Sequence, residues 1–408
     1  MIDGQSTPPD SGRLRRDHWF TQSANVAFSV GQSMAAVVVP LLAVQAGHAI
    51  EAVGLIVAVS AVSQTAARLG MGRLMSRIPT KFFIIAATLL LTASCFILAL
   101  SSALWAFAVS QLLQGAARAY FWTGSQTHVV RASDSAVKAL SRLNVVQGVG
   151  QLIGPALAGI IGAWSLQASL VGAGALGALA VVPSALLISF PPFAPRGKGE
   201  GADRRQIWRR PGVSTAASMT AVAGAWRGIL NSYLPVILTA AGHAVPVVGA
   251  LVTVTNLASL VGSAISRRVQ ARGARFANAL GTTAAGIGLA VAALIPVPVW
   301  IAAAALAVSG LGAGILQTVG PALAADSVAA EERGRAIASI GTFRSVSLLL
   351  SPVITAGLVL VLPSAAIACG VAGIIISTPA LAEIRGRPFA AEQPPEDEED
   401  AEDDSAAA

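Results

Sequence analysis

Amide and guanidinium side chains recur at helical spacing inside long apolar stretches of this sequence. These groups supply hydrogen-bond donors and acceptors where lipid supplies none, so they favour recognition of a polar small molecule. Most of them lie three, four or seven residues from another such group on the same predicted helix and therefore share a face with it. The residues that we predict to contact a solute are Asn25, Gln32, Gln111, Gln114, Gln147, Gln151, Arg227, Asn231 and Asn256.

Arg227 is the most informative of these residues because it falls in the middle of an apolar stretch. An arginine near the centre of a membrane helix costs roughly 2.5–3.5 kcal/mol on insertion scales, so it usually has a function. Arg118 and Arg344 fall nearer the ends of their stretches, where they can reach the membrane surface or serve a gate. Single Ser and Thr residues in these stretches are explained equally well by contacts between helices.

Away from their end residues, the predicted spans contain no Asp or Glu. Cations without anions inside a membrane favour an anionic, zwitterionic or carbonyl-rich solute over a cationic one. The same absence leaves no carboxylate within a span to carry a coupling proton.

Catalytic motifs are absent from the sequence. His18, His48, His128 and His243 are scattered, and there is no nucleophile–base arrangement or phosphate-binding loop. Cys95 and Cys369 lack metal-ligand spacing. We therefore predict that the protein is not an enzyme and holds no metal or cofactor.

The composition predicts an all-α integral membrane protein. Hydrophobic residues make up 54% of the 408 residues, charged residues make up 12%, and the mean hydropathy is +0.70. A soluble domain carries about 25% charged residues. Apolar runs of roughly 20 residues, the length that spans a bilayer, predict twelve helices. They lie at 20–44, 50–70, 82–102, 104–127, 141–163, 166–190, 214–240, 246–266, 276–295, 298–323, 336–361 and 364–383.

Basic residues predict the orientation of these spans. Apart from Arg118, Arg227 and Arg344, the Lys and Arg residues lie in or beside loops on one side, which places both termini in the cytoplasm. Because they are dispersed between apolar runs, we expect no nucleic-acid partner. The Ala- and Arg-rich usage suggests the inner membrane of a bacterium, and we expect a monomer in the bilayer.

The sequence also predicts five segments. They are an N-terminal segment (1–19), a six-helix bundle (20–190), a basic linker (191–213), a second six-helix bundle (214–384) and an acidic disordered tail (385–408). In the linker, residues 204–210 either lie along an anionic membrane surface or are simply solvated.

An internal repeat relates the two bundles. The pattern Pro-x5-Ala-Gly-His-Ala begins at Pro40 and again at Pro235, and the offset, 235 minus 40, is 195 residues. At this offset Gln32 corresponds to Arg227. Pro155 and Pro352 correspond at an offset of 197, each on a helix with small residues one turn apart. Such a parallel repeat is expected in transporters with a solute site between their halves.

Several motifs are similar to those of the major facilitator superfamily. The segment from Gly72 to Lys81 resembles the family's loop signature G-x-L-x-D-R-x-G-R-K, with Ser76 in place of the acid and Pro79 in place of the second glycine. The stripe from Gly150 to Gly159 resembles the fifth-span motif of the family's proton-coupled exporters. Gln111 occupies the position of an arginine that the family links to proton transfer.

The resemblance implies two pseudo-symmetric six-helix bundles and gating by charged cytoplasmic loops. The candidate gating and helix-packing residues are Gly72, Arg73, Arg77, Lys81, Arg118, Asp134, Gly150, Gly154, Pro155, Gly159, Glu331, Arg333, Arg335, Arg344 and Pro352.

The predicted function is secondary active transport of a small organic solute by alternating access, with export by proton antiport. Uptake or facilitated diffusion of an organic anion is the alternative. A receptor or assembly partner that transports nothing is a third interpretation of the same scaffold.

Overall fold

The computed structural model describes residues 11–132, 136–192, 207–295, 298–328 and 333–385. Within these residues the chain forms twelve α-helices, one short 3-10 helix (Ile207–Arg209) and no strand. The α-helices are α1 (Ser11–Gln45), α2 (Ile50–Met75), α3 (Thr80–Leu100), α4 (Leu104–Arg131), α5 (Ala136–Gly162), α6 (Leu166–Ala185), α7 (Pro211–Ala240), α8 (Val245–Gln270), α9 (Ala274–Leu294), α10 (Val299–Asp326), α11 (Arg333–Val361) and α12 (Ala365–Arg385).

Every predicted span corresponds to one helix. Within the described residues, nine helices are long and apolar enough to cross a membrane. The largest boundary difference is in α1, which begins at Ser11 and not near residue 20. Its additional turns carry Asp17, so the expectation that no acid lies within a span-forming helix is wrong. Apolar length alone missed these turns because their exposed arginines lower the local hydropathy.

Two bundles form the fold, one from α1 to α6 and one from α7 to α12. Each bundle has its own buried core. In the first core Phe28 of α1 stacks on Phe121 of α4, with ring centroids 3.8 Å apart. In the second core the Trp226 indole donates to Ser309 Oγ at 2.8 Å, which satisfies the one polar atom of a fully buried ring. The even number of helices brings both ends of the described chain to one face, here called the terminal face; the opposite one is the far face.

The small residues of α5 pack against two different helices. A Cβ atom on Gly154 would approach Ser33 Cβ to 2.6 Å, and one on Gly150 would overlap Ser29, so both glycines bring α5 against α1. Gly159 faces the other bundle, where a Cβ atom would lie 3.0 Å from Pro246. By contrast, Gly357 on the repeat-related helix α11 has nothing within 4 Å of an added Cβ atom.

The two bundles meet near the far face through repeat-related contacts, here called the far-face seal. Gly249 of α8 packs against the Pro155 carbonyl of α5. Its repeat equivalent Gly54, on α2, packs against Pro352 of α11, where an added Cβ atom would lie 2.5 Å from the carbonyl oxygen. Each glycine lets the opposing helix approach the carbonyl of a proline. The carbonyl that loses its helical partner lies four residues before each proline, and for Pro155 it is the Gln151 carbonyl, which accepts from Asn256 Nδ2.

Part of the predicted linker is docked. Ile207 is buried, and the Trp208 ring lies 5.8 Å from the Phe343 ring of α11. Residues 193–206 and the acidic tail beyond residue 385 lie outside the described residues.

Candidate functional site

The described contacts between the bundles lie toward the far face. They reach from the far-face seal to Gly148 of α5, where an added Cβ atom would lie 3.0 Å from Leu260 of α8. Closer to the terminal face, Asn144 on α5 and Arg344 on α11 are exposed. The space between the bundles on the terminal-face side of these contacts is called the central cleft below.

Arg227 lies at the base of the central cleft. Its Nη1 atom donates to Asn256 Oδ1 at 2.9 Å, and its guanidinium lies 4.8 Å from the centroid of the Trp226 ring. Asn256 in turn donates from Nδ2 to the main-chain oxygen of Gln151 at 3.0 Å. The chain Arg227–Asn256–Gln151 thus runs from α7 through α8 to α5, and it joins the two bundles beside the far-face seal.

Arg344 lies on the same side of the cleft. Its main chain packs directly against Gly224, one turn before Arg227 on α7. Its Nη2 atom donates to Gln317 Oε1 of α10 at a long distance of 3.5 Å. The Gln317 Nε2 and Ser351 Oγ atoms beside these arginines are buried and have no described hydrogen-bond partner.

A row of three arginines leads into the cleft. Arg344 lies close enough to Arg227 for their positive charges to repel each other. Arg68 of α2, an exposed residue, interacts with Arg344 in the same way. Among the residues whose side chains are described, the carboxylates belong to Asp17, Glu51 and Asp326, which lie toward the ends of their helices.

The first bundle contributes a different set of polar groups. Gln32, Gln147 and Gln151 are half-buried, as is Asn231 of α7 in the second bundle. Gln111 and Gln114 are only 2% and 1% exposed, which places them inside the first bundle and not on the cleft surface. Arg118 donates to Gln114 Oε1 at 3.4 Å, and both residues lie on α4.

Asn25 lies in the packing between α1 and α5. It is fully buried, and its Nδ2 atom donates to the Leu143 main-chain oxygen of α5 at 2.8 Å. It accepts a hydrogen bond from Ser29 Oγ at 3.2 Å. Both its polar atoms are therefore used between α1 and α5, so it is not available to a solute in this arrangement.

The predicted gating loops are only partly described. Asp134 and Glu331 lie outside the described residues. Gly72, Arg73, Arg333 and Arg335 lie in or at the ends of helices whose backbones are described. Arg77 is exposed, and Lys81 lies 5.5 Å from the Phe82 ring of its own helix. The pairing of these cations with the loop acids stays a prediction.

An acid–base pair near the terminal face was missed in the sequence. Asp17 Oδ2 and His128 Nε2 lie 2.9 Å apart, and the two side chains are 1% and 0% exposed. Asp17 Oδ1 also accepts a hydrogen bond from the Ile188 main-chain nitrogen at 2.6 Å, and His128 Nδ1 lies 3.3 Å from Thr80 Oγ1. The partners are 111 residues apart, so only the packing of α1 on α4 reveals the pair.

The family follows from comparison with known sequences. The profile described as Major Facilitator Superfamily matches residues 23–352 and, in a second match, residues 216–403. The chain belongs to the major facilitator superfamily. Two overlapping matches are consistent with the internal repeat. The protein is accordingly a multi-pass membrane transporter that moves solutes across the bilayer.

Solved structures of family members share the whole fold. The nucleoside transporter NupG has a TM-score of 0.73 at 11% identity, over 90% of this chain and 100% of its own. A bacterial homologue of the human lysosomal transporter Spinster, in an inward-facing and unoccupied conformation, has a TM-score of 0.74 at 12% identity, over 92% of this chain and 97% of its own. A POT family transporter in complex with 5-aminolevulinic acid has a TM-score of 0.69 at 12% identity, over 90% and 95%. The sequence matches no curated protein at a significant level.

Proposed function

We propose that this family member moves a small organic solute by alternating access, with the solute bound at Arg227 in the central cleft. The observation that carries the proposal is the Arg227–Asn256–Gln151 chain, because it links a half-buried cation midway along α7 to a contact between the bundles. A solute group that bonds to Arg227 competes with Asn256 for the guanidinium. Such a solute binds with different affinity to the state with a closed far face and to the state with an open far face. This difference in affinity is what allows it to shift the equilibrium between the two states.

The direction of transport is export by proton antiport. With both termini in the cytoplasm, as the basic loops predict, the central cleft is open to the cytoplasm and can load an outgoing solute. Support for the exporter assignment also comes from the α5 glycine stripe, two members of which pack on α1.

The Asp17–His128 pair supplies a candidate proton carrier. An imidazole nitrogen can hold or release a proton, and the His128 ring is buried against the Asp17 carboxylate. The pair also holds the segment that follows α6, since Ile188 donates to Asp17 and the Phe190 ring lies 5.1 Å from His128. Loss or gain of a proton at this pair therefore changes how firmly the start of the linker is held by α1 and α4.

Uptake or facilitated diffusion of an organic anion is the second candidate. The specific observation in its favour is the row formed by Arg68, Arg344 and Arg227, which gives the cleft a positive potential. Export and uptake differ in the coupled proton flux. A receptor function would require that no solute crosses at all.

Purified protein in vesicles containing a pH-sensitive dye separates these candidates. Proton antiport predicts that an applied pH gradient drives solute accumulation, and that solute movement changes the lumenal pH. In Asp17→Asn and His128→Gln variants we expect solute exchange at equilibrium pH to persist while gradient-driven accumulation is lost. The exposed Arg272→Gln variant is the control and keeps both activities. Gradient-driven accumulation that survives in both variants would remove the pair from the coupling step.

A further inference from the structure

We infer that the solute is an organic anion with at least two negative charges, such as a dicarboxylate or a phosphate ester, held between Arg227 and Arg344. The inference rests on the proposed transport function and names the substrate class of that same cleft. Carboxylate and phosphate share the relevant chemistry, because both accept paired hydrogen bonds from a planar guanidinium.

The first argument is the surplus of donors. A guanidinium has five N–H groups, and one hydrogen bond is described for Arg227 and one long one for Arg344. Gln317 Nε2 is a further buried donor without a described partner. A buried donor without a partner, such as Gln317 Nε2, is costly, and the remaining N–H groups of the two arginines are free to bind a ligand, so the site is matched to one rich in acceptor oxygens.

The second argument is the arrangement of charge. Arg227 and Arg344 project from α7 and α11 at a point where Gly224 allows the two helix backbones to touch, and the described carboxylates lie elsewhere. Two guanidinium groups that repel each other are stabilised together by one ligand with two negative charges. A single negative charge neutralises only one of them. Arg68 at the open end extends the same positive path outward, and such a path raises the local concentration of anions.

The third argument is the asymmetry between the bundles. The repeat places Gln32 at the position of Arg227, so the equivalent site in the first bundle is neutral. Among the described residues, Gln32, Gln147 and Gln151 contribute amides on that side of the cleft. The charged end of the solute therefore lies toward α7 and α11, and its neutral polar part lies toward α1 and α5.

The test compares ligands that differ in charge and little in shape. Thermal unfolding of the purified full chain is followed by tryptophan fluorescence at constant ionic strength with succinate, succinamate and succinamide, which carry two, one and no carboxylates. Glycerol 3-phosphate and glycerol form the phosphate arm. We expect the doubly charged ligands to raise the melting temperature saturably and to bind about tenfold or more tightly than succinamate.

Variants assign the effect to the two arginines. In Arg344→Gln we expect the preference for two charges over one to disappear, whereas Arg344→Lys retains part of it because the charge remains. Arg227→Gln should abolish binding of every anion. The matched control Arg272→Gln removes an exposed arginine outside the cleft and should leave all ligand shifts unchanged.

Each outcome bears on the inference. A shift with succinate alone, with glycerol 3-phosphate alone or with both supports it and identifies the acidic group. Equal binding of succinamate, absence of any shift with the doubly charged ligands, or an equal loss in Arg272→Gln would overturn it. If vesicles exchange a neutral solute and anions have no effect, the proposed substrate class is wrong and the transport function is supported. If succinate binds but no solute is exchanged, the ligand class is supported and the transport function is wrong.

Discussion

Arg227 has two roles at the residue scale, since it faces the cleft and also holds Asn256. Removing its charge while keeping a hydrogen-bonding group, as in Arg227→Gln, deletes a charge-assisted bond worth about 1.5–3 kcal/mol. We expect exchange of solute in vesicles to fall about ten- to a hundredfold. Amounts of folded protein should stay close to those of the unmodified chain.

Arg227→Lys is the informative companion variant. It keeps the charge but loses the planar fork, so an intermediate rate of exchange is expected. Rates equal to those of the unmodified chain in both variants would remove Arg227 from the site.

Asn256 offers a second prediction at the same scale. In Asn256→Asp an almost identical side chain places a carboxylate 2.9 Å from the Arg227 guanidinium, where Asn256 Oδ1 now lies. This built-in anion competes with the solute, and the substitution also deletes the donor to Gln151. We therefore expect weaker solute binding by titration calorimetry than in Asn256→Ala. Tighter binding in Asn256→Asp than in Asn256→Ala would show that the solute is cationic.

Single residues also mark the limit of what the sequence reveals. Arg227 was expected at membrane depth because an isolated charge in an apolar stretch is a strong signal, and it lies midway along α7. Gln111 and Gln114 looked equivalent to it, yet they are buried within the first bundle. Their spacing defines a helix face, but only the packing of α4 against α1 and α2 decides what that face meets. The pairing of Asp17 with His128 has no sequence signal for the same reason.

The helices could be predicted because the length of an apolar run and the charge of a loop are properties of a short stretch of sequence. All twelve were expected, and the misplaced start of α1 reflects charged turns that continue a helix beyond the lipid. Proximity between helices is a tertiary property. Pro155 and Pro352 correspond in the repeat, yet Gly159 beyond the first packs against Pro246 whereas Gly357 beyond the second has open space beside it.

The far-face seal yields a prediction at the scale of helices. In Gly249→Ala the added methyl group meets the Pro155 carbonyl and the Gly159 Cα atom, the latter at 2.9 Å. Overpacking of this kind costs about 1–3 kcal/mol, and here it acts only while α5 and α8 are in contact. The variant should therefore favour the state with an open far face, and cysteines introduced on that side of the cleft should react faster with a membrane-impermeant reagent.

Gly357→Ala is the matched control for this experiment, because nothing lies within 4 Å of that glycine. Labelling rates in the control should equal those of the unmodified chain. If Gly249→Ala labelled no faster than the control, the contact of α8 with α5 would not be part of the seal.

The whole molecule is organised by its duplication. Gly54 with Pro352 and Gly249 with Pro155 form equivalent contacts on two sides of one axis, so both loosen together when the bundles tilt. A solute at Arg227 lies beside both helix pairs. This geometry provides a physical route from binding in the cleft to movement at the far face, and it requires the two faces to respond in opposite directions.

Distances between spin labels on the two faces test that claim most directly. Trp105 and Trp300 are exposed, repeat-related residues at the far-face ends of α4 and α10, and Phe82 and Phe276 are exposed near the terminal face. With both positions of a pair replaced by labelled cysteine, a doubly charged solute should lengthen the Trp105–Trp300 separation and shorten the Phe82–Phe276 separation. The Arg227→Gln variant should show neither change. Separations that stay constant, or that change in the same direction at both faces, would contradict alternating access around Arg227.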